Sequence, residues 1–140
     1  MNASTTNSNT FMKAGDIHPT IRVLAMPADT NAAGDIFGGW LMSQVDIAAS
    51  VVARQRAQGR VVTVAVNNFQ FIKPVYVGDL LSCYAEVVKI GRTSLTVNVN
   101  ALVQRYSEGG EELKVAEAQL TFVAIDQNRR PRPVPNLDKE

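Results

Sequence analysis

The chain has one cysteine and one histidine in 140 residues, and these two scarcities exclude most catalytic and metal-binding arrangements at the outset. A lone Cys83 makes no internal disulfide and builds no thiolate zinc cluster. A lone His18, near the N-terminus, leaves no His-rich metal site and would have to serve any Ser-His-Asp or Cys-His pair alone. Charge of one sign is equally short. Fourteen Lys and Arg against thirteen Asp and Glu leave a formal +1, with no electrostatic case for nucleic acid or an anionic membrane. No stretch approaches the roughly 18 uninterrupted apolar residues of a membrane span. What the chain does have is 46% hydrophobic residues on a length typical of one domain. That is enough to bury a core and to exclude wholesale disorder.

The two ends read as tails. Residues 1–16 are rich in Ser, Thr and Asn, with neither a charged-then-apolar leader nor an Arg-rich amphipathic pattern, so a cytoplasmic location is expected. Residues 127–140 carry Arg129, Arg130 and Arg132 among Pro131, Pro133 and Pro135. Pro-Arg-Pro cannot hold a sheet ladder, and an extended surface tail is expected there. The folded body is then 17–126.

Within that body the hydrophobic period changes once. Residues 20–26 read as a strand stopped by Pro27, followed by a turn-rich loop over 29–35. After Gly38 and Gly39, residues 40–56 contain neither Gly nor Pro and are apolar on nearly every side, which predicts a buried helix ended near Gly59. Everything beyond alternates with period two. Val62, Val64 and Val66 share one predicted face, and Phe69 and Phe71 continue in a shifted phase, placing a bulge at Asn67–Asn68. Leu81 to Val87 alternate up to a turn at 89–92. Leu95, Val97, Val99, Ala101 and Val103 give a third strand of this run, and a Gly109–Gly110 hairpin leads to Ala116, Ala118, Leu120 and Phe122. The order β-α-β-β-β-β, with one long helix beside an antiparallel sheet, is an α+β solution.

One residue stands against its surroundings. Asp46 is the only charged side chain between residues 40 and 53, in a helix that otherwise reads as buried. A carboxylate there costs several kcal/mol unless paired or hydrogen-bonded, and such a group often marks a functional site. The plainer reading is an aspartate at the solvent or a dimer rim, bonded to Ser43, Ser50 or nearby backbone. Gly38 and Gly39 also admit two readings. They are a flexible loop-to-helix junction, or a helix start whose unpaired N–H groups and positive dipole end polarise a carbonyl oxygen. Asp35 and Asn31, just upstream, are common capping and turn residues. Cys83, in phase with Leu81 and Ala85, reads as a small core residue.

The run from Asp29 through Asp35, Gly38, Gly39 and Trp40 to Asp46 resembles the hotdog-fold acyl-CoA thioesterases, the bacterial YciA-type acyl-CoA hydrolases in particular. Four further segments share the likeness: residues 59–66, residues 71–79, the Gly91-Arg92-Thr93-Ser94 turn and Thr121-Phe122-Val123-Ala124. The resemblance implies a hotdog fold, one long helix wrapped by a five-stranded antiparallel sheet. It implies hydrolysis of acyl-CoA to free CoA and a carboxylic acid. Asp46 would act as general base on water or as nucleophile, with Gly39 N–H as the main donor to the carbonyl oxygen and Asp35 in the same catalytic pocket. Asn31, Gly38, Lys73, Gly91, Arg92 and Thr93 would bind substrate. Lys89 and Arg105 are further cations available to CoA phosphates. Neither metal nor organic cofactor is implied. The half-wrapped helix and open sheet edge lead to a homodimer, and the resemblance extends this to a hexamer, a trimer of dimers. Two other classes compete. One is a hotdog hydratase or dehydratase, which relies on a histidine; the other is a non-catalytic acyl-CoA-binding module, in which nothing would offset the desolvation of Asp46.

Overall fold

The computed structural model describes residues 18–137. Strand β1 (Ile21–Leu24) leads through a short 3₁₀ turn, Pro27–Asp29, and a loop to helix α1 (Gly38–Ala57). Four strands follow: β2 (Val61–Phe71), β3 (Leu80–Ile90), β4 (Ser94–Gln104) and β5 (Glu112–Ala124). They form one antiparallel sheet in the order β1-β3-β4-β5-β2. This is the α+β arrangement expected from the hydrophobic pattern.

The core lies between the helix and one face of the sheet. Leu41, Val45, Ala48, Ala49, Ala53 and Ala57 form one buried stripe on α1, at the three-and-four spacing of a single helix face. Against it pack Leu95, Val97, Val99, Ala101 and Val103 of β4 and Val115, Ala118, Leu120 and Phe122 of β5. The alanines let the helix approach the central strands closely. Outside that stripe some apolar side chains are left uncovered: Met42 and Ile47 are exposed in the single chain, as are Val64, Val66 and Phe71 along the edge strand β2.

Three local expectations change. The helix starts at Gly38, two residues before the predicted start, with Phe37 as an N-cap that supplies no side-chain bond. Glycine's low helix propensity hid that first turn. At the other end the left-handed residue is Gln58 (φ 55°), not Gly59. Gly59 follows with a φ of 158°, and a Cβ there would lie 2.5 Å from the end of the Arg132 side chain, which would have to shift. Strand β2 carries two register shifts, one between Thr63 and Ala65 and one between Val66 and Asn68. The second matches the expected bulge. The first does not, and together they turn Thr63, Val66 and Phe69 toward one cavity beside the helix, so that Val62, Val64 and Val66 do not form one continuous face.

The Pro- and Arg-rich segment runs back along the body. Arg132 N–H donates to the Ala124 carbonyl, Val134 N–H to the Arg92 carbonyl, and the Arg56 guanidinium to the Pro135 carbonyl. Val134 packs on the core. Residues 1–16, expected as a tail, lie outside the described residues.

Candidate active site

The loop before the helix is organised by its own short polar side chains. The Asn31 carboxamide oxygen accepts the N–H groups of Ala33 (2.9 Å) and Asp35 (3.1 Å), and Asn31 N–H donates to the Asp35 carbonyl (2.7 Å). Ile36 is buried, its N–H on the Val75 carbonyl, and Phe37 N–H reaches back to the Asp29 carbonyl. These bonds deliver the chain to Gly38 at a fixed angle. As first-turn residues, Gly38 and Gly39 have no carbonyl four residues back within the helix, so their N–H groups point outward at the positive end of the helix dipole. A Cβ on Gly38 would press on the Phe71 ring at 3.4 Å, whereas a Cβ on Gly39 would meet nothing within 4 Å. The approach to Gly39 is therefore open. Asp35 stays exposed on the same loop.

Asp46 lies two turns further along α1, half-buried, at a cavity of about 230 Å³. The cavity is walled by Met42, Val66, Phe69 and Leu120, with Ser43, Thr63 and Asp46 as its polar members. The Thr63 hydroxyl donates to Asp46 Oδ1 at 2.8 Å. The two serines considered from sequence do not take part: Ser43 donates to the Gly39 carbonyl and Ser50 to the Ile47 carbonyl. The sequence pattern hides Thr63, because the alternation of Val62, Val64 and Val66 assigns it to the outer face, whereas it opposes the buried Phe122. One carboxylate, held by a hydroxyl and bordered by apolar walls, is a group able to accept a proton from a water molecule beside a weakly solvated acyl chain.

The structure gathers some of the candidate residues and separates others. Asn31, Asp35, Gly38 and Gly39 share one end of the molecule. Lys73 is at that end as well, following β2, its N–H on the Val115 carbonyl. The Gly91, Arg92 and Thr93 turn is at the other end. Phe71, beside Gly38, aligns with Ala116 and Ala101, whereas the turn follows the row of Ile90 and Leu95. Six residues of β4 separate those rows, about 20 Å along the strand. Thr63, and with it Asp46, belongs to the turn's row. The candidate residues of a single chain thus fall into two groups, one near each of these rows.

Other candidates resolve into structure. Arg105 is buried and paired: its guanidinium bonds both carboxylate oxygens of Asp79, the closest at 2.8 Å, and donates to the Pro74 carbonyl, under the Tyr76 ring at 4.5 Å. The bond to Asp79 raises its pKa above the ordinary arginine value. It is not a phosphate ligand. Cys83 is fully buried, and burial pushes its thiol up to about 12, the opposite of an activated nucleophile. His18 is exposed ahead of β1. Among the described residues no group of three or more His, Cys, Asp or Glu side chains is placed to hold a metal ion.

Comparison with known proteins converges on one chemistry. Residues 33–105 match the family model of the thioesterase superfamily. The acyl-CoA thioester hydrolase YciA of Escherichia coli is 48% identical over 123 residues, 86% of this chain and 92% of that protein. A hexameric thioesterase from Yersinia pestis superposes with a TM-score of 0.81 at 50% identity, covering 86% of this chain and 98% of that one. A hexameric hotdog-fold thioesterase of Campylobacter jejuni gives 0.81 at 39% identity, over 84% of this chain and 90% of its own.

Proposed function

We propose, for a chain that belongs to the thioesterase superfamily and within it to the YciA-type acyl-CoA thioester hydrolases, that Asp46 and the start of α1 together cleave the thioester. The protein is a hotdog-fold acyl-CoA thioesterase, using water to release free CoA and a carboxylic acid. The observation that carries the catalytic reading is the half-buried Asp46 carboxylate, fixed by Thr63 at an apolar cavity.

In the proposed reaction the thioester carbonyl oxygen rests against Gly39 N–H at the open helix start, where partial positive charge stabilises the oxyanion of the tetrahedral intermediate. Asp46 takes a proton from water as its oxygen bonds to the carbonyl carbon. The C–S bond then breaks, and the proton held by Asp46 passes to the leaving CoA thiolate. Direct attack by Asp46, giving an anhydride that water opens, uses the same residues. Asp35 and Asn31 border the helix start and orient the substrate. Gly91, Arg92 and Thr93 offer a guanidinium, a hydroxyl and backbone donors to CoA phosphates, and Lys73 supplies a further cation. No metal or organic cofactor takes part.

The separation of the candidate residues into two groups makes the working unit two chains. Asp46 of one copy meets the helix start of the other when two molecules pair through the exposed β2 edge and the uncovered face of α1. Three such pairs make the hexamer. The proposed compartment is the cytoplasm, in keeping with a chain whose one cysteine is a free, buried thiol. Thiol release from a panel of acyl-CoAs, measured in excess chelator, tests the function. Turnover is expected with chelator present, and loss of turnover restored by zinc would sink the cofactor-free mechanism.

A further inference from the structure

We propose that the C-terminal strap, residues 131–135, is a positioning element that holds the Arg92 turn in shape for CoA phosphates. The proposal rests on the reading above, in which Gly91, Arg92 and Thr93 meet those phosphates.

The turn joins β3 to β4 and does little to hold itself. Beyond the last strand pair, Ile90 and Leu95, it closes with Gly91 N–H on the Ser94 carbonyl at 2.8 Å. Gly91 and Arg92 are exposed. A glycine-containing hairpin tip of this kind is ordinarily among the more mobile parts of a fold. Here the backbone is tied from outside at two successive residues. Ala124 N–H donates to the Thr93 carbonyl at 2.9 Å, and Val134 N–H donates to the Arg92 carbonyl at 2.8 Å. The side chains stay out of this arrangement. Among the described residues, neither the Arg92 guanidinium nor the Thr93 hydroxyl has a hydrogen-bond or ion-pair partner. A tied backbone with free donors is a site ordered before its ligand arrives, and such a site loses little entropy on binding.

The strap is arranged to deliver that one N–H. After β5 the chain reverses over 126–130, where the Asp126 carboxylate accepts Asn128 N–H at 2.8 Å and Arg130 N–H at 2.9 Å. Arg132 then fastens the returning chain to the end of β5. Its backbone N–H donates to the Ala124 carbonyl at 2.9 Å, and its Nε–H to the Ile125 carbonyl at 3.0 Å. Further on, the Arg56 guanidinium, in the last turn of α1, donates to the Pro135 carbonyl at 2.7 Å. Val134 sits between these two anchors with its side chain packed on the core. Pro133 and Pro135 have fixed φ and no N–H, so the donor between them is Val134. Helix end, strand end and turn are locked to one another.

The test compares hydrolysis of an acyl-CoA with that of the same acyl group on pantetheine, a thioester that lacks every phosphate. Arg92→Gln measures what the turn contributes. Val134→Pro removes the donor to the turn, and Arg56→Met loosens the strap while keeping the helix. Gln127→Ala, at the exposed reversal, is the control and is expected to match wild type. Each strap variant should raise KM for acyl-CoA by about 3- to 10-fold with kcat nearly unchanged, the loss of one ordering hydrogen bond. For acyl-pantetheine, kcat/KM should move by no more than about twofold. Because the strap acts through the turn, Val134→Pro added to Arg92→Gln should fall well short of the product of the two single effects. Should Val134→Pro fail to fold, Arg56→Met carries the comparison. A selective KM rise in Arg92→Gln, with none in the strap variants, overturns the proposal and leaves the phosphate reading standing. Equal losses on both substrates make the strap a general brace and overturn it too. A KM for acyl-CoA unmoved by Arg92→Gln overturns the phosphate reading, and the proposal with it.

Discussion

Mixing two inactive variants should restore activity that neither has alone, if each site draws on two chains. The reasoning is metric. Asp46 stands seven residues beyond Gly39 on α1, and at about 1.5 Å per residue that is roughly 10 Å along the axis. An aspartate side chain leans toward the helix N-terminus but is too short to cross that distance. The bond from Thr63 holds the carboxylate toward β2. A carbonyl on Gly39 is thus beyond the same chain's Asp46. The perturbation is Asp46→Ala in one preparation and Asp35→Ala in another, each first shown to be inactive. The two are dissociated together and reassembled, and thiol release is measured. A site needs an intact helix-start loop from one chain, with probability about one-half, and an intact Asp46 from its partner, again about one-half. Random reassortment therefore restores about a quarter of wild-type activity, in dimer or hexamer alike. A mixture as inactive as its parents, with subunit exchange verified, would refute the two-chain site.

Two further predictions concern groups outside the chemistry. Arg105→Met strands the buried Asp79 carboxylate and should lower stability by roughly 3–5 kcal/mol, a fall in Tm on the order of 10–15 °C, with much of it recovered by adding Asp79→Leu. A loss under about 1 kcal/mol in thermal or urea unfolding would contradict the pairing. Cys83 should resist thiol reagents in the native protein and react on unfolding. Its raised pKa gives the sign of its pH effect: the folded state keeps a proton that the unfolded thiol releases above its ordinary value of 9.0, so this contribution to stability is full below pH 9 and is lost toward about 12. Rapid native labelling at pH 8 would show the site to be open.

The parts of the molecule that were legible in the sequence are those governed by local period. Strand β4 alternates without interruption and is buried on every second residue from Leu95 to Val103. The long helix announced itself by composition, and Asp46 by being the one charge between residues 40 and 53. What stayed hidden depends on partners distant in sequence. Thr63 faces Asp46 because it opposes Phe122 on the helix side of the sheet, the face opposite to the one that the alternation of Val62, Val64 and Val66 suggests. Arg105 and Asp79, 26 residues apart, carry no shared periodic signal, so Arg105 reads as a cation available to CoA phosphates and Asp79 only as the end of the segment 71–79. The C-terminal prolines do prevent a ladder, yet their carbonyls still accept bonds, and Pro135 holds the Arg56 guanidinium. Gly59 as a helix stop is legible, since α1 ends at Ala57, but its contact with the end of the Arg132 side chain, 73 residues along, is not.

The most direct test of the central claim is kcat for Asp46→Asn, a change that keeps the side chain's shape and removes its ability to accept a proton. With Thr63 still able to donate to the amide oxygen, the fold and substrate binding should change little. The loss of a general base is expected to lower kcat by about 10²–10⁴. A kcat within a few-fold of wild type would show that Asp46 is structural and would transfer the catalytic role to Asp35.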